Sequence, residues 1–593
     1  MPIQSSNPPN IITLEDWKGL NQEARRASID DQEEWWNENL YAISGGNLRS
    51  LWGPSGPIYT SPGPTIRRIF FGFYGEDVTS PEGTTNEYLQ PPPGRKGWMF
   101  LDDGTVDEVD LDTGEVTPVV RTATGSRQVW VPIAPKYWAD AKVWRPRWVG
   151  NQEGEIGGVV FGSPGGTNPG DTGGLFAWDG VNGYGPGDDA PNWLTNCDIG
   201  ACGPAFNGLM PWGLPGIYSL EVYMERLWVA GKDVISISAP DNGADFDDQD
   251  GGGSFAYFGD KLVHDWMDMA AVGGYLFLYG DSSIDQVSNV QMSGSGTPAE
   301  PYLLAFNHQN VDPQVGQRWP RPVSHLGRYL VLFNGAGIFF QQGADTVPVG
   351  DKINRLYATV DFPSTAADTD KFYPTMCPIT VFQERCILFN MMMIDPFGVK
   401  RPLLLLWNGV FWTVASQWYD ATGTAEKSTQ LMLTNIASYE DNSVITAYGT
   451  DGTSLYRLFD HPDPKLPKRL STKAFSGDKG AKVKLKFFSR AYMEVHDNSG
   501  EGWQRRDSQT VISVPQLPVG CSFTGNFTTR EGSIPNGTYN VGFELSPGVT
   551  YGVIPWPLQA YGLSGELDLI SYSPDFTIER FHFAVDEKQL YGA

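Results

Sequence analysis

The sequence predicts a mainly β fold: a propeller-like domain of repeated short antiparallel hairpins, a β-sandwich-like C-terminal domain, and a short helical N-terminal segment. Three observations carry this expectation. Short apolar runs alternate with Gly-rich turns over most of the chain. Those runs recur as units of similar layout. The composition joins 69 Gly and 44 Pro to 13% aromatic and only 19% charged residues, which suits many turns between buried strands and opposes disorder.

The N-terminal segment, 1–65, contains LEDWKGLNQEARRASIDDQEEWWNENL, whose helix formers and spaced apolar residues predict one or two short helices or a partly ordered arm. GGNLRSLWGPSGPIYTSPGP then reads as turns and extended chain. From 66 to 460 the signal is β. IRRIFFGFYG has the apolar density of a half-buried strand. WMFLDDGTVDEVDLDTGEVTPVV alternates, with Asp103-Gly104 and Thr113-Gly114 as turns. This pattern places Val106 and Val109 near a bulge or turn and Val116 on an inner face. Comparable units begin at GGVVFGS, IYSLEVYMERLWVAGKDVISIS, WMDMAAVGGYLFLYGDSSIDQVS, HLGRYLVLFNGAGIFFQQG, ITVFQERCILFNMMM and SVITAYGTDGTSLYRLFD. Their starts fall roughly 30 to 65 residues apart, centred near the 40 to 50 residues of propeller blades. A four-stranded blade cannot bury both its faces alone, whereas blades stacked around an axis cover one another. A series of sandwiches or barrels is the competing architecture. After HPDPKLPKRLSTKAFSGDKG, a linker by composition, 461–593 reads as the sandwich. In it AKVKLKFFSRAYMEVH predicts a strand with a wet cationic face at Lys482, Lys484 and Lys486.

At 593 residues the chain can bury a large core without disulfides or metals. Its formal net charge of −27 opposes gripping phosphates over the whole surface, but allows cations, basic partners or a lumen through which DNA slides. Simple solubility is the plainer meaning of that charge. Five Cys, an odd number without CxxC, do not make a disulfide scaffold; Cys197 and Cys202 share a Gly-rich loop and could form a bridge. No secretory signal is visible at the N-terminus and no apolar run reaches membrane-spanning length, so synthesis and folding in a cytoplasm are expected.

The chemistry-bearing residues give no catalytic, metal or cofactor site. Asp241, Asp245, Asp247, Asp248 and Asp250 precede three glycines and could hold Ca²⁺. They lack the glutamate of an EF-hand spacing, and a solvated loop is the favoured meaning. Asp102, Asp103, Asp107, Asp110 and Asp112 read as the wet face of a hairpin. His264, His308, His325, His461, His496 and His582 are scattered without metal spacing. GxSxG, HExxH and P-loop signatures are absent from the sequence. A glycosidase pair of carboxylates beside aromatics is possible among so many acids and 20 Trp, but nothing singles one out. Trp228, Trp266, Trp407 and Trp412 read as packing residues. Arg226 either pairs with an acid between blades or lies on an outer edge.

Several segments resemble bacteriophage tail proteins. IYSLEVYMERLWVAGKDVISISAPDNGADF is similar to their strand–RLW–strand segment, GDSSIDQV to the strand that follows, and LFNGAGIFFQQGADTVPVGDKI to a later hairpin and its sequel. GTDGTSLYRL, STKAFSG and the Lys-rich strand resemble the exit into their last domain. The likeness spans about 210–490, and the N-terminal third matches loosely. The family that these segments resemble is the tail nozzle (tail tubular protein B) of short-tailed phages. The resemblance implies a structural virion protein: a hexameric ring at the distal end of the tail channel. It would sit below an adaptor, beside tail fibres or spikes, with double-stranded DNA passing unbound and the host surface met at infection. It implies no catalytic residues. Lys468, Arg469 and the Lys-rich strand are then expected to face an acidic neighbouring subunit. A carbohydrate-binding or carbohydrate-cleaving propeller, such as an adhesin or glycosidase, is the alternative, and a scaffold for protein partners a third.

Overall fold

The computed structural model describes 10–74, 94–120, 125, 127, 140–144, 158–163, 174–184, 219–240, 246, 251–256, 266–316, 323–362, 372–420, 428–476, 485–500 and 518–588, apart from isolated positions and short turns within these spans. The fold is mainly β. Among the described residues, seven antiparallel units of four strands follow one another. Their innermost strands are Ile66–Tyr74, Asp140–Trp144, Ser219–Tyr223, Trp266–Val272, Val323–Leu326, Thr375–Val381 and Asn435–Asp441. Each touches the next, and the last touches the first, so the units are blades 1 to 7 of a closed propeller.

Local chemistry sets the hairpins. In blade 4, Gly273 and Gly274 both have positive φ (61° and 84°) between Val272 and Tyr275, which pair directly. That is the two-residue turn whose twist matches the flanking strands. In blade 5, Asn334 Oδ1 accepts the N–H groups of Ala336 and Gly337 at 2.8 and 3.2 Å, making an Asx turn before the strand Gly337–Gln342. Packing then covers each blade face: Trp228, Leu276, Leu278 and Val287 share one cluster between blades 3 and 4.

Blade 7 is completed from the other end of the chain. Ser454–Arg457 pairs antiparallel with Pro57–Thr60, so a strand that precedes blade 1 closes the ring. Blade 6 does not stop at four strands. Its outer strand Trp412–Ala415 pairs in parallel with Glu34–Glu38, which pairs in turn with Lys468–Thr472, and the sheet runs on through Ser564–Ser571, Cys521–Glu531 and Ile534–Leu545. A second sheet holds Leu40–Ala42, Leu48–Ser50, Phe576–Lys588, Leu485–Asp497 and Tyr551–Gly562, with Asn10–Leu14 against Phe576–Lys588. The two sheets enclose a core containing Phe475, Phe488, Phe527, Phe543 and Phe583, which is a sandwich.

The expected N-terminal helical segment is corrected. The described residues of 10–60 contain no helix: Asn10–Leu14, Glu34–Glu38, Leu40–Ala42, Leu48–Ser50 and Pro57–Thr60 are strands, the rest is turn or irregular chain, and the single α-helix among the described residues is Asn354–Tyr357. Long-range pairing overrides helix propensity there. The strands of 10–60 are therefore built into both the sandwich and blade 7. Three finer expectations also change. Val116 is 42% exposed, whereas Val106 and Val109 are fully buried. Asp107 is buried, accepting from Tyr59 at 2.7 Å. Lys486 is buried and not on a wet face; Lys482 and Lys484 lie outside the described residues.

Candidate functional site at the propeller axis

Inner strands of a propeller converge on its axis, so their side chains meet there although the sequence separates them. A cavity of about 680 Å³ occupies this position, lined from blades 1, 2, 5, 6 and 7 by Arg68, Phe71, Lys142, His325, Met376 and Tyr439 among others. Lys142 Nζ lies 3.0 Å from Glu221 Oε2, joining blade 2 to blade 3. His325 reaches the same region from blade 5 and stays solvent-accessible within the cavity. Its imidazole is held below the usual 6.5, first by the surrounding protein, against an upward pull from Glu221, with Lys142 adding to the depression. A neutral His325 therefore stands opposite a Lys–Glu pair at ordinary pH. Asp268 of blade 4 accepts from Ser219 Oγ of blade 3 at 3.1 Å.

Polar locks hold the blades around this axis. Glu108 Oε2 accepts the indole N–H of Trp98 in its own blade at 3.0 Å and that of Trp178 in blade 2 at 2.7 Å. Tyr223 donates to the carbonyl of Gly274 at 2.7 Å between blades 3 and 4, and Tyr279 to Gln341 Oε1 at 2.8 Å between blades 4 and 5. Arg385 in blade 6 meets Glu440 in blade 7 at 2.6 Å. These carboxylates are engaged in packing and pairing, an arrangement suited to holding a ring shut.

A second concentration of charge lies at the seam between blade 6 and the sandwich. Glu38 is fully buried and takes two bonds from Arg401, at 2.8 and 2.9 Å, and one from Ser416 at 2.7 Å. Arg401 also meets Asp395 at 3.1 Å, and Arg469 stands 3.7 Å from Glu38. Arg401 holds the Glu38 carboxyl below its ordinary range against the opposing effect of burial, which is the largest single influence. Nearby Glu34 is the reverse case: burial raises its pKa to about 8, and its Oε1 has no hydrogen-bond partner among the described residues.

The residues singled out in the sequence fall in varied places. Arg226 is buried and its Nη1 donates to the carbonyls of Ser238, at 2.7 Å, and of Gly251, while Nη2 lies 3.6 Å from Met292 Sδ of blade 4. It pins backbone, a role that the two readings of the sequence did not include. Trp228 is in the core, and Trp407 stacks on Trp412 at 5.7 Å; the side chain of Trp266 lies outside the described residues. Lys468 is buried and donates to the carbonyls of Asp463 and Ser573, both at 2.7 Å, and Arg469 serves Glu38. The burial of Lys468 corrects the expectation that it faces a neighbouring subunit. Asp102 and Asp103 cap turns at Thr65 and Thr105, and Asp110 pairs with Lys96 at 2.8 Å. Asp241, Asp245, Asp247, Asp248, Asp250, Cys197, Cys202 and His264 lie outside the described residues. Cys377, Cys386 and Cys521 are buried free thiols. His308 meets Asp285 at 2.8 Å, His496 meets Glu579 at 2.7 Å, His582 meets Glu494 at 3.0 Å, and His461 lies 3.4 Å from Asp460. Among the described residues no group of three or more His, Cys, Asp and Glu is placed to hold a metal ion, and no helix is long and apolar enough to cross a membrane. Sequence reasoning missed the axial set, because Lys142, Glu221 and His325 share no motif and meet only through ring closure.

No family model matches the chain, and none of the curated proteins does. Solved structures similar to it include BBS1N in complex with ARL6DN, at 7% identity over 69% of this chain and 98% of that one, with a TM-score of 0.36. A glycoside hydrolase family 43 arabinoxylan arabinofuranohydrolase from Bacillus subtilis matches at 8% identity over 93% and 96%, with a TM-score of 0.21. PorZ of the type-IX secretion system of Porphyromonas gingivalis matches at 12% identity over 90% and 65%, with a TM-score of 0.26. At such scores none of them bears on the function of this chain.

Proposed function

We propose that the chain is a structural, non-catalytic subunit of the tail nozzle of a short-tailed phage, one of several copies, six by the resemblance, around a DNA channel. The observation that supports this most directly is the single sheet running from blade 6 through Glu34–Glu38 into the sandwich. A conduit wall under load needs domains that do not hinge, and a shared sheet with a buried ion-pair network supplies that. The tail-like segments of the sequence point the same way. The axial cavity of about 680 Å³, lined in part by Lys142, is far too small for a duplex whose major groove alone is about 12 Å wide. In this reading DNA runs between copies and never through a propeller. The net charge of −27 keeps its phosphates hydrated and mobile. The adaptor above and the fibres or spikes beside the ring are its partners in the virion, and the host surface is met at ejection.

Electron microscopy of the purified chain with a tail adaptor protein tests the proposal. Rings with a central lumen wider than a duplex support it. A chain that stays monomeric with the adaptor, or a ring whose lumen retards DNA in a gel shift, overturns it.

A further inference from the structure

A second cavity, of about 490 Å³, opens between blades 6 and 7. Its walls include Trp52, Phe382, Gln383, Asp441 and Phe459. Two of these aromatics stand on backbone that aromatic residues rarely adopt: φ is +46° at Phe382 and +54° at Phe459. Phe382 and Gln383 (φ +71°) form the two-residue turn between Val381 and Glu384, a position suited to Asn-Gly. Each such residue costs about 1 to 2 kcal/mol, and strain of this kind concentrates where a side chain must be presented in a set place. Here the turn sets the Phe382 ring against Trp52 (6.1 Å, edge to face) and under the Arg49 guanidinium at 4.4 Å. It leaves the Gln383 amide exposed at the lip.

The polar wall is equally particular. Arg457 pairs with Asp460 at 3.1 Å, and Arg95 of blade 1, paired with Asp112, also lines the cavity. Asp441, half-buried at the end of its strand, borders both this cavity and the axial one. The structure gives its carboxylate no hydrogen bond or ion pair among the described residues, although its backbone pairs with Val444. A pocket of this size, with aromatic faces, one open carboxylate and one amide, matches a ligand with flat C–H faces and vicinal hydroxyls. The carboxylate accepts two hydroxyl protons in charge-assisted bonds, and the rings cover the apolar face.

We propose that the groove between blades 6 and 7 binds a neutral pyranose disaccharide unit, with Trp52 and Phe459 as stacking walls and Asp441 and Gln383 as hydrogen-bonding groups. The site is independent of the nozzle reading, and a chain that forms no ring tests it equally well. The full chain is titrated with maltose, lactose and N,N′-diacetylchitobiose, and with tetramethylammonium chloride as a cationic probe, followed by saturation-transfer NMR and Trp fluorescence. At least one disaccharide is expected to saturate. Asp441→Asn weakens it about tenfold or more, the loss expected for a hydrogen bond to a charged group. Gln383→Ala, at an exposed turn, weakens it by a smaller factor, and His325→Ala on the axis leaves it unchanged. The proposal is overturned if no disaccharide saturates, or if the folded Asp441→Asn and Gln383→Ala variants bind as the parent does. It is also overturned if tetramethylammonium displaces the sugar, which assigns the groove to organic cations.

Discussion

Glu38 and Arg401, 363 residues apart, meet in a two-point ion pair of 2.8 and 2.9 Å inside the seam between propeller and sandwich, with Glu38 wholly shielded from solvent. Removing one member leaves the other charged and buried. Arg401→Met is expected to cost about 3 to 5 kcal/mol, read as a lowered urea midpoint. Replacing Glu38 and Arg401 together with apolar residues recovers most of that loss. A single mutant within 1 kcal/mol of the parent would refute this account of the seam.

Glu34 gives a pH dependence of definite sign. Its folded pKa, about 8, lies above the ordinary 4.5, so the folded state holds a proton that the unfolded state releases. Stability from this group is therefore full below about pH 4.5 and falls by about 1.4 kcal/mol per pH unit toward pH 8. Glu34→Gln, which cannot ionise, is expected to match the parent at pH 5 within about 1 kcal/mol and to exceed it clearly at pH 8. Urea unfolding at the two values checks it; a gap that does not widen with pH contradicts it.

Glu108 serves two indoles at once. Glu108→Leu strands both N–H groups at the junction of blades 1 and 2, for an expected loss of about 2 to 5 kcal/mol. Trp178→Phe removes only one bond and some packing. In a double-mutant cycle the two changes couple, and strictly additive losses would show that the shared carboxylate is not a lock.

A Cβ at Gly525 would sit 1.9 Å from the carbonyl oxygen of Asp568 in the neighbouring strand. Gly525→Ala must push two paired strands apart and is expected to cost about 3 kcal/mol or more. Gly273→Ala, at an open turn, costs only its backbone strain. Thermal melts of the two variants separate the cases.

A fragment of residues 66–460 lacks Pro57–Thr60 and leaves the edge of Ser454–Arg457 open. It is expected to be insoluble or to melt far below the full chain, while a fragment starting upstream of residue 57 keeps blade 7 whole. Equal melting of the two fragments by circular dichroism would contradict closure by that strand.

The hairpins were legible because their causes are local: Gly273-Gly274, Asn334 and the apolar runs between them carry their own turn chemistry. The segment Glu34–Glu38 was not. Glu34, Trp36, Asn37 and Glu38 are all buried, since strands flank it on both edges and the two domains cover it, so no period of two survives. Its residues read as helix formers, whereas Glu38 is the partner of Arg401 and Arg469, far away in sequence. Lys486 misled for a related reason. A bulge between Phe488 and Arg490 shifts the phase, so Lys486 and Phe488 share the buried side with Ala491 and Met493. Phe487 is left to stack on Tyr561 at 4.5 Å. The axial group and the groove of Asp441 depend on ring closure and carry no contiguous signature.

Ring closure also sets a timetable for synthesis. Thr60 bonds to Ser454 across 394 residues of chain. On a ribosome adding about 5 to 20 residues per second, the early strand waits roughly 20 to 80 s for its mate. Throughout that interval the nascent chain carries an open β edge beside finished blades. Slowing translation after blade 6 should therefore lengthen its exposure to aggregation and its dependence on chaperones.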